Sequence, residues 1–325
     1  MPYSFVHRIR GVSVSAFRLP TPQHATSPLS TKLNSIVAQA GDVILGKDQE
    51  IRLALTCLIA RGHLLIEDIP GVGKTTLAHV LARVLGLSFQ RVQFTSDLLP
   101  ADILGISVYD RRTGSFDFHP GPVFTQLVLA DEVNRATPKT QSALLEAMEE
   151  RQVSQDRVTR KLPDPFFVIA TQNPSHSVGT FPLPESQLDR FLMRIKLGYP
   201  NPKSERALLR GRDRRELVDA LEPQLDVSEL LEIQQQVEAV HMSDALLDYL
   251  QDVIAVTRAT PEFGPGLSPR AGLALLRCSQ AWAFMEDRRH VIPEDLQTVL
   301  PGVVNHRLRQ GATSAEELLR QVPIP

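Results

Sequence analysis

A chain of 325 residues with 42% hydrophobic and 22% charged residues has the makeup of a globular protein long enough for two domains. A formal net charge of −2 supplies no global field toward nucleic acid or an anionic membrane, and no apolar run approaches the length needed to span a bilayer. Cys57 and Cys278 lie far apart in apolar, helix-like runs, as reduced core thiols of a cytosolic protein do, and the histidines lack the paired spacing of a structural zinc site.

The chain opens with a basic, acid-poor stretch: Arg8, Arg10, Arg18 and Lys32 precede the first acid, Asp42. Such a start suits an organelle transit segment or a disordered tail. With Pro20, Pro22 and Pro28 set against any helix, residues 1–31 are expected to be a disordered extension. From Lys32 to Leu58 apolar residues recur at helical spacing around a turn at Leu45-Gly46-Lys47. His63 to Ile66 is a short apolar run that reads as a buried strand.

The next stretch, IEDIPGVGKTTL from Ile66 to Leu77, ends like a phosphate-binding loop, but its first expected glycine position is Asp68. The loop proper, Pro70-Gly71-Val72-Gly73-Lys74-Thr75-Thr76, is complete. Gly71 and Gly73 let the backbone curl so that successive N–H groups aim at one point at a helix N-terminus. Lys74 supplies a cation for the β- and γ-phosphates and Thr75 a hydroxyl for Mg²⁺. Position 68 is where strand gives way to loop, so its side chain can point away from a ligand.

Further along, Tyr109 to Phe118 has the pattern of a hairpin turning at Thr113-Gly114. LVLADE, from Leu127 to Glu132, is an apolar strand ending in two acids at the sheet's carboxyl edge, where open α/β folds bind ligands. Asp131 is expected to hold the Mg²⁺ shell and Glu132 to polarise an attacking water. A helix follows over Lys139 to Glu150, and apolar runs at Phe166 to Ala170 and Phe191 to Leu197 give two more strands. Strands alternating with helices imply a parallel α/β sheet over residues 32–200.

After Tyr199-Pro200-Asn201-Pro202 amphipathic helical segments take over: Glu205 to Leu221, Val227 to Val240, Asp244 to Arg258, Pro269 to Phe284 and Pro293 to Val304, with Ser314 and Glu317 spaced as a capping box for a last helix. Residues 201–325 are therefore expected to form an all-α domain. Ser268, Pro269 and Arg270 read as N-cap, N1 and N2 of one of its helices. The arginines at 206, 210, 212, 214 and 215, interrupted by Asp213 and Glu216, read as a solvated helix face rather than a nucleic-acid footprint.

Several stretches in one order carry a resemblance: EDIPGVGKT (Glu67 to Thr75), HPGPVF (His119 to Phe124), LADEVNRATPKTQSALLEAMEE (Leu129 to Glu150), ATQNP (Ala170 to Pro174), PLPESQLDRFLMRI (Pro182 to Ile195) and LSPRAGLALLR (Leu267 to Arg277). Together they resemble the MoxR family of AAA+ ATPases, whose members often carry Glu-Asp before this phosphate loop. The resemblance implies an AAA+ P-loop core with an all-α lid, and ATP and Mg²⁺ as ligands. It implies that Asn173 is sensor 1, touching the γ-phosphate or the attacking water, that Arg270 is sensor 2, reaching phosphate, and that Arg190 is an arginine finger facing a neighbouring subunit. Tyr109 to Phe118 and Gln152 to Leu162 correspond to hairpins that face the central pore or a partner in related rings; solvated hairpins are the alternative. The implied protein is a cytoplasmic homo-oligomeric ring, a hexamer by analogy. It hydrolyses ATP to remodel, or mature the metal site of, a partner carrying a von Willebrand A-type domain. A magnesium-chelatase-like motor subunit and a nucleotide-gated scaffold with little turnover are the alternatives. A helicase loader would need a basic patch that the sequence lacks.

Overall fold

A computed structural model describes residues 28–173, 179–211, 213–309 and 315–324. Of the extension expected at residues 1–31, only 28–31 are described, and they correct that expectation: they begin the helix Pro28–Val43, with Leu29 and Ser30 buried. Proline is compatible with a first helical turn, whose N–H groups have no intrahelical partner, so Pro28 opens this helix instead of breaking it.

The nine strands among the described residues are β1 (Leu64–Glu67), β2 (Phe89–Gln93), β3 (Gly105–Asp110), β4 (Ser115–Pro120), β5 (Leu127–Asp131), β6 (Gln152–Gln155), β7 (Val158–Lys161), β8 (Phe167–Gln172) and β9 (Met193–Ile195). Five of them form one parallel sheet in the order β2-β5-β8-β1-β9. The other four are two antiparallel hairpins, with Tyr109 opposite Phe116 in the first and Gln155 opposite Val158 in the second.

Both sheet faces are covered, which is why the strands read as unbroken apolar runs. Side chains alternate across the sheet. Leu64, Ile66, Leu127, Leu129, Phe167 and Ile169 join one core with the helices Pro28–Val43, Asp48–Ile59 and Lys74–Val84. Leu65, Val128, Ala130, Val168 and Ala170 join another with Leu144, Leu145 and Met148 of the helix Pro138–Glu150. β2 escaped the sequence reading because it lies at the sheet edge, where Gln90, Arg91 and Gln93 are exposed and no apolar run is needed.

Among the described residues strands end with β9, and the remaining elements are helical apart from one bridge between His241 and His290. The helix expected over Glu205 to Leu221 is two, Pro202–Arg210 and Arg214–Asp219; Asp213 caps the second by accepting from Arg215 N at 2.9 Å. Val227–Glu238, Asp244–Ala259, Pro269–Met285, Pro293–Val304 and Ala315–Gln321 follow, the expected cap Ser314 lying outside the described residues. The first sheet-side core continues without interruption into these helices through Leu275, Cys278, Leu296, Leu300 and Val303. Cys57 and Cys278 are buried free thiols within it. No helix among the described residues is long and apolar enough to cross a membrane.

Candidate functional site

The strand order sets β8 between β5 and β1, so three neighbouring strands end side by side at one carboxyl edge. The register brings Glu67 abreast of Gln172, and Ala130 abreast of Ala170. The phosphate-type loop leaves β1, Asp131 closes β5, and Asn173 follows β8.

Gly71 and Gly73 have φ of 84° and 95°, left-handed conformations that strain any residue with a Cβ. A Cβ at either would meet nothing within 4 Å, so backbone torsion requires these glycines and the space above the loop is open. Gly73 then begins the helix Lys74–Val84 with no side chain capping its first N–H groups. Asp68 answers the question its position raised. Its carboxylate is engaged by backbone, Oδ1 accepting from Ile69 N at 2.8 Å and Oδ2 from Gly198 N at 2.6 Å. It anchors the loop to the chain beyond β9.

Lys74 is 7% exposed and donates to the carbonyls of Asp68 and Ile69, and to Asn173 Oδ1 at 3.0 Å. Burial pulls its pKa down, and the nearby carboxylates of Asp68, Asp131 and Glu132 oppose that pull. Asn173 Nδ2 donates in turn to Glu132 Oε1 at 3.0 Å. One amide thus joins the loop cation to the candidate general base. Glu132 Oε2 accepts from Gln93 Nε2 and Arg135 Nη1, each at 3.1 Å. Its backbone is left-handed, φ 56° and ψ 47°, an uncommon state for a side-chain-bearing residue that turns the carboxylate out of the strand direction.

Asp131 is 6% exposed. Its Oδ2 accepts from Thr75 Oγ1 at 3.3 Å, and from Arg91 Nη2 and Nε at 2.7 and 3.1 Å. Its Oδ1 accepts from Thr171 Oγ1 at 2.5 Å, while Glu132 N donates to the same hydroxyl at 2.9 Å. A threonine hydroxyl and a carboxylate side by side, beside an open anion-binding loop, suit Mg²⁺, which keeps several waters and needs few protein oxygens. Thr75 and Asp131 are the residues that would hold it.

Arg190 and Arg270 lie elsewhere. They line one cleft together with Arg61, His63 and Arg277. His63 precedes β1, so this cleft opens at the amino edge of the sheet, opposite the loop. Arg270 donates to Glu149 Oε1 at 2.5 Å and does not reach the phosphate loop of its own chain. Asp189, adjacent to Arg190, is bonded to Arg307 at 2.6 Å. Arg194, the neighbouring cation in β9, is paired with Glu67 at 2.7 Å.

Residues 63–193 match a sequence profile of the ATPase family associated with various cellular activities (AAA), and residues 255–322 match the AAA lid domain. The chain is 40% identical over 289 residues to the chaperone MoxR1 of Mycobacterium tuberculosis, covering 85% of this chain and 75% of that one. This chain belongs to the MoxR family of AAA+ ATPases. It is also 44% identical over 296 residues to the uncharacterised YeaC of Bacillus subtilis, covering 89% of this chain and 92% of YeaC. A crystal structure of a protein from Cytophaga hutchinsonii superposes with a TM-score of 0.82 at 37% identity, covering 91% of this chain and 96% of that one. The α/β core with a parallel sheet and the lid are thus those of the family.

Within this MoxR-family site, sequence reading missed Arg91, Gln93, Thr171 and Asn134. Thr171 bonds the Asp131 carboxylate and the Glu132 backbone N–H; its signal was a polar residue directly after the apolar run Phe166 to Ala170. Asn134 holds the backbone of Asn173 through a bond from Nδ2 at 3.1 Å. Arg91 and Gln93 gave no signal, because the strand that carries them was itself not legible.

Proposed function

We propose that this MoxR-family chain binds ATP with Mg²⁺ on Pro70–Thr76 and hydrolyses it in a homo-oligomeric ring, a hexamer by analogy with its relatives. The observation that carries this reading is the bonded line Lys74–Asn173–Glu132 beside the Thr75–Asp131 pair. The loop N–H groups and Lys74 hold the phosphates, releasing Lys74 from the carbonyls it now bonds. Thr75 and Asp131 would hold Mg²⁺, which when bound would supply positive charge against that of the transferring phosphoryl group. Glu132 accepts a proton from water, and Asn173 aligns that water with the γ-phosphorus while sensing the phosphate through Lys74. Thr171 ties the Asp131 carboxylate to the Glu132 backbone N–H, while the Glu132 carboxylate is oriented by Gln93, Arg135 and Asn173.

Arg190 and Arg270, at the far edge of their own sheet, serve the nucleotide of the next subunit. The family's AAA membership supports a ring, and the chaperone name of the Mycobacterium relative supports remodelling of a client as the output. A partner with a von Willebrand A-type domain and a cytoplasmic location follow from the resemblance and the reduced thiols.

The test is phosphate release from ATP with and without Mg²⁺. Lys74→Ala is expected to abolish it. Arg190→Ala subunits mixed with Lys74→Ala subunits are expected to recover part of it, since a mixed interface can pair an intact loop with an intact finger. No recovery in co-assembled mixtures rejects action on the neighbour.

A further inference from the structure

Arg190 and Arg270 come from different parts of the chain, the segment before β9 and the second residue of a lid helix, yet they share one cleft. Two like charges at the end of flexible side chains do not hold a fixed separation unaided. What lies between their backbones is Asp189. Its Oδ2 accepts from Ser268 Oγ at 3.3 Å, and Ser268 is the N-cap of the helix that carries Arg270. Its Oδ1 accepts from Arg307 Nε at 2.6 Å. Arg307 follows the helix Pro293–Val304, is 4% exposed, and also donates to the carbonyls of Asp189, Phe191, Leu192 and Val303. The neighbouring His306 adds a contact from Nε2 to the Phe191 carbonyl at 3.0 Å. The backbone on both sides of Arg190 is therefore bonded to the lid.

Only the Arg307 side of this pair is buried, Asp189 being partly exposed, and an ion pair taken out of water is a poor stabiliser, since apolar side chains of similar volume do as well. Its use is geometric: a planar guanidinium satisfied by one carboxylate and several carbonyls admits one arrangement. We propose that Asp189, gripped by Ser268 and Arg307, is a positioning residue that fixes Arg190 and Arg270 relative to each other before a neighbour's nucleotide arrives. This rests on the reading that Arg190 acts in the next subunit. The gain is preorganisation: a cation off by about 1 Å costs about a hundredfold in rate.

The test is Asp189→Asn in the full chain, which keeps the shape and removes the charge. Turnover is expected to fall about a hundredfold, while binding of a fluorescent ATP analogue to the variant's own loop stays within about twofold, and Asp189→Asn subunits co-assembled with Lys74→Ala subunits recover activity. The double variant Asp189→Asn/Arg307→Met, which leaves no unpaired buried charge, is read in the same way if the single variant does not fold. Full turnover in Asp189→Asn, or a loss that Lys74→Ala subunits do not repair although they repair Arg190→Ala, overturns the proposal. Failure of the Arg190→Ala mixture itself removes the reading beneath it.

Discussion

The two edges of the central sheet are built on opposite plans. At the carboxyl edge the functional side chains bond to one another: Lys74 to Asn173, Asn173 to Glu132, Thr75 to Asp131. At the amino edge, among the described residues, Arg190 and Arg270 do not bond each other; Arg270 leans on Glu149, and Arg190 is held only through its neighbours in sequence. A site whose members satisfy each other can be judged within one chain. Arg190 and Arg270 line a cleft that also holds Glu149 and Asp189, and on the function proposed above that cleft is completed by the nucleotide of a neighbouring subunit. The contrast separates residues whose loss acts on their own subunit from residues whose loss acts next door.

Arg190→Ala tests that separation most strongly. A transition-state arginine supplied to a neighbour is worth about 10³–10⁵ in rate, so turnover should collapse while nucleotide binding by the variant's own loop is kept. Equal loss of both, measured by phosphate release and by nucleotide titration, would place Arg190 with the carboxyl edge. Glu132→Gln is the counterpart. It should slow hydrolysis by about 10²–10⁴-fold and keep ATP bound, and mixing with Arg190→Ala should repair it through the Arg190→Ala subunit's own intact loop. If the variant is folded but cannot bind ATP, Glu132 is a ligand and not a base.

The amino edge also carries a pH signature. His63 is buried beneath the cleft, its Nδ1 accepting from Val168 N at 2.9 Å and its Nε2 facing the Met148 carbonyl at 3.3 Å, and burial pushes its pKa down to about 4. The unfolded histidine titrates near ~6.5. Above that pH His63 adds no pH dependence. Between there and about 4 the unfolded chain takes up a proton that the folded chain refuses, so stability decreases as the pH is lowered, by about 3 kcal/mol at most. His306, buried and pushed well below its ordinary value, acts in the same direction. Urea midpoints for the wild type and His63→Gln, compared from about pH 7.5 to 5, should diverge; parallel curves would mean that His63 is protonated without penalty.

The smallest effect concerns Asp68. Replacing it with glycine restores the commoner loop sequence and deletes two bonds to backbone N–H groups. Melting should report a loss of about 1–3 kcal/mol, with ATP affinity changed only a few-fold. A loss of affinity as large as that of Lys74→Ala would make Asp68 part of the ligand site.

What was legible in the sequence follows the same division. Strands buried on both faces announce themselves as apolar runs, and a loop that needs positive φ announces itself with Gly71 and Gly73. At the carboxyl edge the positions of Lys74, Thr75, Asp131, Glu132 and Asn173 were therefore legible as candidates, while Thr171, Asn134, Arg91 and Gln93 beside them were not. β2 was not, because an edge strand with exposed Gln90, Arg91 and Gln93 has no pattern that distinguishes it from a loop. The amino edge was opaque for another reason: Arg190 and Ser268 meet through Asp189 only after the lid has packed, and no local spacing encodes a contact between positions 189 and 307. The broken helix at Gly211 and the helix beginning at Pro28 turned on local chemistry instead, a cap at Asp213 and a proline in a first turn.

The core that passes from the sheet into the lid has a practical consequence. Met193 of β9 packs so tightly against the lid that a Cβ on Gly302 would come within 2.7 Å of its Cε. Cutting the chain near residue 200 would lay bare the flank of β9 and the helix Asp48–Ile59, and strip Pro269–Met285 of the surface it buries. Neither piece would make a sound recombinant fragment, and grafting the lid of one relative onto another would demand recutting both faces of the joint. In a calorimeter the chain should melt as one body, with a single endotherm where two separable domains would give two.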